Sequence, residues 1–193
     1  MRLNKKYWNE RYLSNKTGWN IGYISKPLKA YFDQLSNKNL KILIPGCGNA
    51  YEAQYLHENK FTNTNVLDYS NIAINNFKKR VISFPQRNII EMNFFELEES
   101  YDLIVEQTFF CALAIDKRKL YVEKINNLLS KNGKLVGLFF DDVFNSDGPP
   151  YGAKKEYYLN LLSSNFNILT FEKCYNSIDS RIGNEFFCIA KKK

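Results

Sequence analysis

From Leu40 onward, short apolar runs alternate with helix-length amphipathic segments. The apolar runs that predict strands are "LKILIPG", "NTNVLDYS", "NIIEMNFFEL", "YDLIVEQ", "KLVGLFF", "FNILTFEKC" and "EFFCIAKK". The segments that predict helices between them are "AYEAQYLHENK", "NIAINNFKKRV", "DKRKLYVEKINNLLSKNG" and "KKEYYLNLLSSN". This alternation favours an α/β fold, a mostly parallel sheet covered by helices on both faces. The last two strands have too short a connector for a helical crossover, so we expect them to pair antiparallel.

Capping and turn residues predict where two of these helices begin or end. Ser70 or Asn71 can cap the helix that follows the second strand. Gly133 is expected to end the helix before "KLVGLFF" as a left-handed stop. The residues expected near one face of that helix are Leu120, Ile125 and Leu128.

The totals indicate one domain. The chain has 193 residues, 45% of them hydrophobic, enough for a single substantial core. We expect one domain over residues 1–193, with an N-terminal helical cover over 1–39 and a core over 40–193. The opening "MRLNKKYWNERY" is charged, and no later segment approaches the roughly 18 uninterrupted apolar residues of a membrane helix. We therefore expect a soluble, cytoplasmic monomer with no membrane partner.

Cysteine, histidine and charge limit the function classes. The four cysteines are far apart and His57 is the single histidine, so we expect reduced thiols and no metal. The single histidine also argues against Ser-His-Asp and Cys-His nucleophile chemistry, because His57 would have to be the activating base. The net charge is +7, but lysine and arginine are scattered apart from "FKKRV" and a terminal "KKK". We therefore expect no nucleic-acid partner.

The most informative spacing in the sequence lies between a glycine turn and a distant acid. Gly46 and Gly48 directly follow the first strand, and Asp68 ends the second strand about twenty residues later. A tight turn for structural reasons would explain the glycines alone, whereas the added acid indicates a ribose. The third glycine of a dinucleotide motif is replaced by Tyr51, and no P-loop is present. These features favour a nucleoside without phosphates, of which S-adenosylmethionine is the common one.

The loop after the third strand is a candidate for the base of that nucleoside. Asn93 can bond the amino group and ring of adenine, with Met92 and Phe94 supplying apolar faces. The alternative is that Asn93 is an ordinary loop cap.

Several segments resemble, in this order, a known family. They are "YWNERY…TGWNIGYISKPL", "ILIPGCGNAYEAQYL", "VLDYSNIAI", "YDLIVEQTFFCAL", "LLSKNGKLVGLFF" and "DGPPYGAKKEYY". Together they resemble the thiopurine methyltransferase superfamily, with the halide and thiol methyltransferases as the most similar branch. The resemblance runs from about Tyr7 to Glu185. "TFFCAL" and "GPPY" are more specific than the glycine turn, which class I methyltransferases share in some form.

The resemblance implies a seven-stranded, Rossmann-like class I methyltransferase. It also implies S-adenosylmethionine as cofactor, S-adenosylhomocysteine as product and a small thiol or halide as substrate. The candidate cofactor-binding residues are Trp8, Trp19, Gly46, Cys47, Gly48, Asp68, Asn93, Phe94 and Glu106. The candidate substrate-binding residues are Gln107, Phe109, Tyr151 and Arg181, and the candidate catalytic residues are Tyr151 and Trp19. Asn93 replaces the usual aspartate of the family, and Glu106-Gln107 replaces an acid-tyrosine pair.

Methyl transfer to a thiolate, bisulfide or halide asks for alignment and exclusion of water rather than for a strong base. An aromatic, closed pocket suits this task. The aromatic candidates are Trp8, Trp19, Phe109, Phe110 and Tyr151, with ordinary core packing as the alternative for Phe109 and Phe110. Arg181 can pair with an anionic substrate or a site carboxylate, or be a solvated surface arginine. Cys111 is expected to be a buried packing thiol.

The N-terminal segment contains both tryptophans. Gly18 and Gly22 flank Trp19 in a loop, and Pro27 permits a helix to start at Leu28. We expect Trp19 to belong to a lid over the sulfonium and the substrate. Trp8, on the preceding amphipathic helix, is expected to anchor that lid.

Two alternatives remain at this point. One is a methyltransferase that acts on nucleic acid, protein or another small molecule, and the positive charge favours the first two. A base-modifying enzyme usually has a motif such as "N-P-P-Y" after the fourth strand, where this chain has "VEQTFF". The other alternative is a catalytically silent module that binds S-adenosylmethionine.

Overall fold

The computed structural model describes residues 3–142, 144 and 148–193. The helices are α1 (Lys5–Leu13), α2 (Lys26–Asp33), α3 (Tyr51–Glu58), α4 (Asn71–Arg80), α5 (Arg118–Leu128) and α6 (Lys155–Leu162). The strands are β1 (Ile42–Pro45), β2 (Thr64–Asp68), β3 (Ile89–Glu91), β4 (Tyr101–Gln107), β5 (Leu129–Phe140), β6 (Phe166–Lys173) and β7 (Glu185–Lys192). In this described part, no helix has both the length and the apolar character needed to cross a bilayer.

The predicted fold class is confirmed. The strands form a seven-stranded, mostly parallel sheet with helices around it. The last strand, β7, is antiparallel to β6, as the short connector predicted, and it is also antiparallel to β5. The chain divides into two compact units, Met1–Leu97 and Glu98–Lys193, called here the first and second units. The division into a cover over 1–39 and a core over 40–193 stays a prediction.

The first unit contains three parallel strands in the order β3-β2-β1. Every residue of β1 and β2 is buried, and β1 is apolar throughout, as expected of a central parallel strand. The largest buried side chains of the surrounding helices and loops are Leu28, Phe32, Leu56, Phe61 and Phe77. Because parallel strands end at the same edge of a sheet, the loops after β1 and β2 lie side by side.

The second unit contains four strands in the order β4-β5-β7-β6, with β4 parallel to β5. Gly137 of β5 pairs with Glu106 of β4. A Cβ atom on Gly137 would lie 2.4 Å from the Cβ atom of Glu106 and 2.6 Å from its carbonyl oxygen. Glycine at this position therefore lets the two strands approach closely around Glu106.

The prediction of the buried apolar face of α5 is wrong for one residue. Leu120 is 43% exposed, whereas Ile125 and Leu128 are buried together with Tyr121 and Val122. Positions five residues apart on a helix differ by about 140° in direction, so Leu120 and Ile125 do not share a face. Tyr121 lies four residues before Ile125 and occupies the buried face instead.

The predicted ends of two helices are also corrected. The helix α5 ends at Leu128 and β5 begins at the next residue, so Gly133 lies inside a strand. The left-handed residue of this segment is Asn132, with φ 67°. Further upstream, α2 starts at Lys26 with Pro27 in its first turn, two residues before the predicted start at Leu28.

Candidate functional site

The turn after β1 has the sharp geometry that its glycines predict. Gly46 and Gly48 have φ values of 57° and 54°, in the left-handed region that favours glycine. The turn is closed by a 2.8 Å hydrogen bond from Ala50 N–H to the carbonyl oxygen of Cys47. Cys47 N–H donates to the carbonyl oxygen of Leu67 in β2 at 3.0 Å, which joins the turn to the neighbouring strand.

Asp68, the last residue of β2, binds this turn directly. Its Oδ2 atom accepts a 2.9 Å hydrogen bond from Gly48 N–H, and its Oδ1 atom accepts a 2.8 Å bond from Ser70 N–H. A carboxylate oxygen can accept about two hydrogen bonds, so these two bonds leave one acceptor position on each oxygen. The N–H group of Tyr69 also lies close enough to favour the charged form of Asp68. Burial raises the pKa of Asp68 above its ordinary value, although hydrogen bonds from backbone N–H groups oppose this shift. The arrangement suits a ligand with two adjacent hydroxyl groups.

Sequence reasoning missed Asn9, which connects α1 to the loop after Asp68. The Oγ–H group of Ser70 donates to Asn9 Oδ1 at 2.7 Å, and Asn9 Nδ2–H donates to Asn71 Oδ1 at 2.8 Å. The same Ser70 hydroxyl accepts from Ala73 N–H and caps α4. Asn9 lies 61 and 62 residues from these partners, and no local pattern in the sequence signals such a contact.

Tyr12 is a second residue of α1 that the sequence analysis missed. Its side chain is buried, and its hydroxyl oxygen lies 2.7 Å from the position that a Cβ atom on Gly48 would occupy. Burial raises the pKa of Tyr12, so the hydroxyl stays protonated at neutral pH. Tyr12 follows Trp8 by four residues, the spacing of one helix face, which is the signal that could have found it.

The two tryptophans pack against each other in the first unit. Their rings lie 5.5 Å apart in an edge contact, and Trp19 makes a similar contact with Tyr12 at 5.8 Å. The guanidinium of Arg11 lies 5.7 Å from the Trp19 ring. Trp8 and Trp19 are both partly buried. Their roles as anchor and lid stay predictions.

Asn93 forms the loop cap that was the alternative to an adenine contact. It precedes a 3₁₀ turn, Phe94–Glu96, where its Oδ1 atom accepts from Phe95 N–H at 3.2 Å. Its Nδ2–H group donates to Glu96 Oε1, also at 3.2 Å. Phe94 is buried, with 3% of its surface exposed. A contact of Asn93 or Phe94 with adenine stays a prediction.

In the second unit, Glu106 holds the turn that follows β4. Its Oε1 atom accepts from Phe109 N–H at 2.7 Å and from Phe110 N–H at 2.9 Å. Its Oε2 atom accepts from the hydroxyl of Tyr121 at 2.7 Å. Burial raises the pKa of Glu106 to about 7, and the residue is 0% exposed. A shifted pKa is common in catalytic carboxylates, but these contacts give Glu106 a structural role, and its contact with the cofactor stays a prediction.

The residues that follow Glu106 differ in burial. The Oε1 atom of Gln107 is buried without a hydrogen-bond partner in the described part of the chain. Phe109 is partly buried, whereas Phe110 is 2% exposed and packs on the ring of Tyr121 at a centroid distance of 5.2 Å. The structure therefore supports the core alternative for Phe110 and keeps Gln107 and Phe109 as substrate candidates.

Arg118, which the sequence analysis also missed, holds the loop that contains Tyr151. Its Nη2–H groups donate to the carbonyl oxygens of Tyr151 at 2.6 Å and Gly152 at 3.3 Å. Tyr151 N–H donates to the carbonyl oxygen of Cys111 at 2.7 Å, and Cys111 is buried, as expected of a packing thiol. The backbone of Tyr151 is therefore fixed on both sides. Asp147, the first residue of the "DGPPY" motif, lies outside the described residues.

Arg181 lies in a buried ion pair. Its Nη1 atom is 3.4 Å from Glu185 Oε1, and the guanidinium lies 5.5 Å from the ring of Phe140. The hydroxyl of Ser177 donates to the other oxygen of Glu185 at 2.7 Å. Since Arg181 is 8% exposed, the alternative of a solvated surface arginine is wrong. Its contact with substrate stays a prediction.

A comparison with protein families decides the family of this chain. The family model described as "Thiopurine S-methyltransferase (TPMT)" matches residues 3–190. The chain belongs to the thiopurine S-methyltransferase family. Membership in this family supports methyl transfer as the reaction class and confirms the resemblance that the sequence motifs indicated.

Curated relatives of the chain are similar at low identity. A probable thiol methyltransferase 2 of Arabidopsis thaliana is 28% identical over 160 residues, covering 80% of this chain and 70% of that protein. Thiocyanate methyltransferase 1 of Brassica oleracea is 24% identical over 184 residues, covering 92% of this chain and 81% of that protein. A thiopurine S-methyltransferase of Photobacterium profundum is 20% identical over 171 residues, covering 80% of each chain.

Solved structures confirm the Rossmann-like fold. The 1,6-didemethyltoxoflavin-N1-methyltransferase of Burkholderia thailandensis, solved with S-adenosylhomocysteine bound, superposes with a TM-score of 0.78 at 15% identity. The alignment covers 99% of this chain and 88% of that chain. Magnesium protoporphyrin IX methyltransferase of Synechocystis, solved with bound SAM, gives a TM-score of 0.76 at 13% identity, covering 98% and 95% of the two chains. At these identities the likeness concerns the fold alone.

Proposed function

We propose that this protein is an S-adenosylmethionine-dependent methyltransferase that transfers the methyl group to a small thiol, bisulfide, thiocyanate or halide. The carrying observation is Asp68, a buried carboxylate that binds the glycine turn and keeps acceptor capacity on both oxygens. Family membership supports the reaction class, and the named thiol and thiocyanate methyltransferases support the substrate class. The proposal includes a cytoplasmic monomer that needs no metal, nucleic acid or membrane.

The residues of the first unit fit the proposed cofactor. Asp68 offers one acceptor position on each oxygen, which matches the two hydroxyl groups of a ribose. Gly46 and Gly48 present backbone without side chains beside it. The Oδ1 atom of Asn49 is buried and lacks a hydrogen-bond partner among the described residues, so a ligand donor at this turn would satisfy it. We infer that these residues hold the nucleoside and methionine parts.

The aromatic cover of the first unit suits a sulfonium. When bound, S-adenosylmethionine supplies a methyl group on a positively charged sulfur. Trp19, Trp8 and Tyr12 form a contiguous aromatic cluster. Each aromatic face attracts a cation by about 0.5–2 kcal/mol, and the cluster excludes water. In this proposal Trp19 covers the reacting atoms and Trp8 holds Trp19 in place.

The nucleophile is proposed to be an anion because Glu106, the β4 carboxylate that holds the following turn, is not available as a base. Its two oxygens accept three hydrogen bonds and it has no exposed surface. Thiolates and halides need no proton removal at the moment of transfer, so orientation can supply much of the rate, of order 7–11 kcal/mol in well-oriented systems. Gln107, Phe109, Tyr151 and Arg181 remain the proposed substrate residues.

The test combines binding with product detection. Calorimetry with S-adenosylmethionine is expected to show one site per chain, and iodide or sulfide added afterwards should yield methyl iodide or methanethiol in the headspace. Asp68→Asn serves as the control that should lose both signals. Binding without any volatile product would favour the silent binding module or a different methyl acceptor. No binding at all would overturn the proposal.

A further inference from the structure

The helix α1 contacts Ser70 and Gly48, two residues whose N–H groups donate hydrogen bonds to Asp68. On one side, Asn9 accepts a hydrogen bond from the hydroxyl of Ser70, whose N–H donates to Asp68 Oδ1. On the other side, Tyr12 lies against Gly48, whose N–H donates to Asp68 Oδ2. Asn9 and Tyr12 are three residues apart and therefore lie on one face of the helix. The orientation of the carboxylate is thus linked to the placement of α1.

Asn9 fixes the Ser70 side chain more completely than the cap alone does. The Ser70 hydroxyl accepts from Ala73 N–H at 3.2 Å, which leaves its hydrogen free to point in several directions. The 2.7 Å bond to Asn9 Oδ1 uses that hydrogen and selects one rotamer. Asn9 is itself held by its 2.8 Å bond to Asn71 Oδ1. The residue that presents its N–H to Asp68 is therefore held from two directions.

A third contact ties the same loop to the segment before α1. The hydroxyl of Tyr69 donates to the carbonyl oxygen of Leu3 at 2.8 Å. Asn4 caps α1 by accepting from Tyr7 N–H at 3.0 Å, so the helix begins immediately after this contact. The loop that follows Asp68 is held at consecutive residues by one helix and its N-terminal flank.

We propose that Asn9 is a positioning residue for ribose recognition: through Ser70, it sets the direction in which the Asp68 carboxylate presents its acceptor positions. The inference rests on the proposed cofactor and deepens it. Asn9 itself touches no part of the ligand in this proposal. Its removal is expected to weaken binding through the ribose hydroxyl groups while the rest of the nucleoside binds as before.

The experiment compares S-adenosylhomocysteine with its 2′,3′-dideoxyribose analogue, called here the deoxyribose ligand, which has neither of the two hydroxyl groups, by calorimetry on the full chain. The wild-type protein is expected to prefer the ribose ligand. In Asn9→Ala, the dissociation constant of the deoxyribose ligand divided by that of S-adenosylhomocysteine should fall about tenfold. The affinity for the deoxyribose ligand itself should stay almost unchanged. Alanine has a higher helix propensity than asparagine, so the change does not weaken α1 by propensity. The ratio is also independent of any loss of folded protein, because both ligands bind only the folded chain.

Two further variants make the result specific. Asn76→Ala removes an exposed asparagine from α4 and should keep the wild-type ratio. Ser70→Gly removes the hydroxyl from the other end of the contact at a cost of only a few tenths of a kcal/mol in capping. It should lower the ratio as Asn9→Ala does, and it replaces that variant if Asn9→Ala fails to fold.

The outcomes separate this inference from the proposed function. Equal weakening of both ligands in Asn9→Ala would overturn the positioning role, since that is the result of a structural defect. A wild-type protein that binds both ligands equally would also overturn it, while the assignment of the cofactor stands. A wild-type protein that binds neither ligand would overturn the proposed function and the inference with it.

Discussion

Asp68 and Glu106 are two buried carboxylates with similar surroundings and different remaining capacity. Each lies at the carboxyl end of a parallel strand, each accepts two backbone N–H groups, and burial raises the pKa of both. Glu106 also accepts from the hydroxyl of Tyr121 and has no exposed surface, whereas Asp68 is 9% exposed with one acceptor position left on each oxygen. Burial and a shifted pKa are therefore shared by both carboxylates, and the ribose-binding role proposed for Asp68 is based on its unfilled hydrogen-bonding capacity.

The largest expected effect comes from Asp68→Asn. The amide places an NH₂ group where one oxygen accepts from a backbone N–H, and it removes the charge. Hydrogen bonds to charged groups contribute about 1.5–3 kcal/mol each, so losing two should weaken S-adenosylhomocysteine binding about 100-fold or more. Calorimetry measures this, with Glu106→Gln as the matched carboxylate-to-amide change. If Glu106 only holds the turn, this variant keeps affinity near the wild-type value, whereas a loss would support its predicted contact with the cofactor. Equal losses in the two variants would break the comparison.

Glu106→Gln should instead change how stability depends on pH. The folded-state pKa of Glu106, about 7, lies above its ordinary value, so the folded protein binds the proton more tightly than the unfolded chain does. This stabilisation is fully present below the unfolded pKa and is lost as pH rises through about 7, by up to about 3 kcal/mol. Burial also raises the pKa of Tyr121 and of Cys111 beside Glu106, so neither group titrates in the pH range in which Glu106 does.

Urea denaturation at about pH 5 and about pH 8 tests this prediction. The amide introduced by Glu106→Gln resembles the protonated acid and does not titrate, so the variant should lose less stability than the wild type between the two pH values. Parallel stability profiles for the variant and the wild type would show that Glu106 is ionised at both pH values, as an accessible site carboxylate would be.

Glycine-to-alanine changes beside the two carboxylates sharpen the comparison further. A Cβ atom on Gly137 meets the backbone of Glu106, whereas one on Gly48 meets only the far end of Tyr12. Gly137→Ala should therefore cost about 2–3 kcal/mol of stability through overpacking. Gly48→Ala should cost about 1–2 kcal/mol, from its left-handed φ of 54°, and should also weaken cofactor binding. Unfolding curves and calorimetry on both variants check this order, and a reversed order would contradict it.

The smallest expected effect concerns the aromatic cover of the first unit. We expect Trp19→Ala to lower turnover more than thermal stability and Trp8→Ala to do the reverse, with about 1 kcal/mol separating their stabilities. The ring of Trp8 lies 5.0 Å from that of Tyr7 and 5.5 Å from that of Trp19. Turnover per folded molecule and melting curves measure the split. If both variants lose stability equally and keep full turnover, the tryptophans are ordinary core.

The strands could be predicted from the sequence because their signal is local. Apolar runs such as "ILIP" and "LIV" mark buried parallel strands, and the structure contains all seven predicted strands, parallel and antiparallel. The buried face of a helix was harder to predict, because it depends on which neighbouring elements cover the helix. Leu120 is apolar like Ile125, yet only the second lies on the buried face of α5.

The candidate site was predictable only where its residues follow strands. Gly48 and Asp68 have the spacing of a known turn and acid, and the structure joins them by a hydrogen bond. Asn9, Tyr12 and Arg118 were missed because their roles come from contacts with distant residues. Arg118 binds carbonyl oxygens 33 and 34 residues away, and any polar residue there would give the same local pattern.

The contact between Asn9 and Ser70 also has a consequence for synthesis of the chain. Asn9 of α1 is synthesised before Ser70, which follows it by 61 residues. At about 5–20 residues per second, the helix waits roughly 3–12 seconds before its partner is made. A nine-residue helix is marginal alone in water, so α1 remains unfolded during that interval. The helix α1 is thus synthesised well before the partner that holds it in its native position.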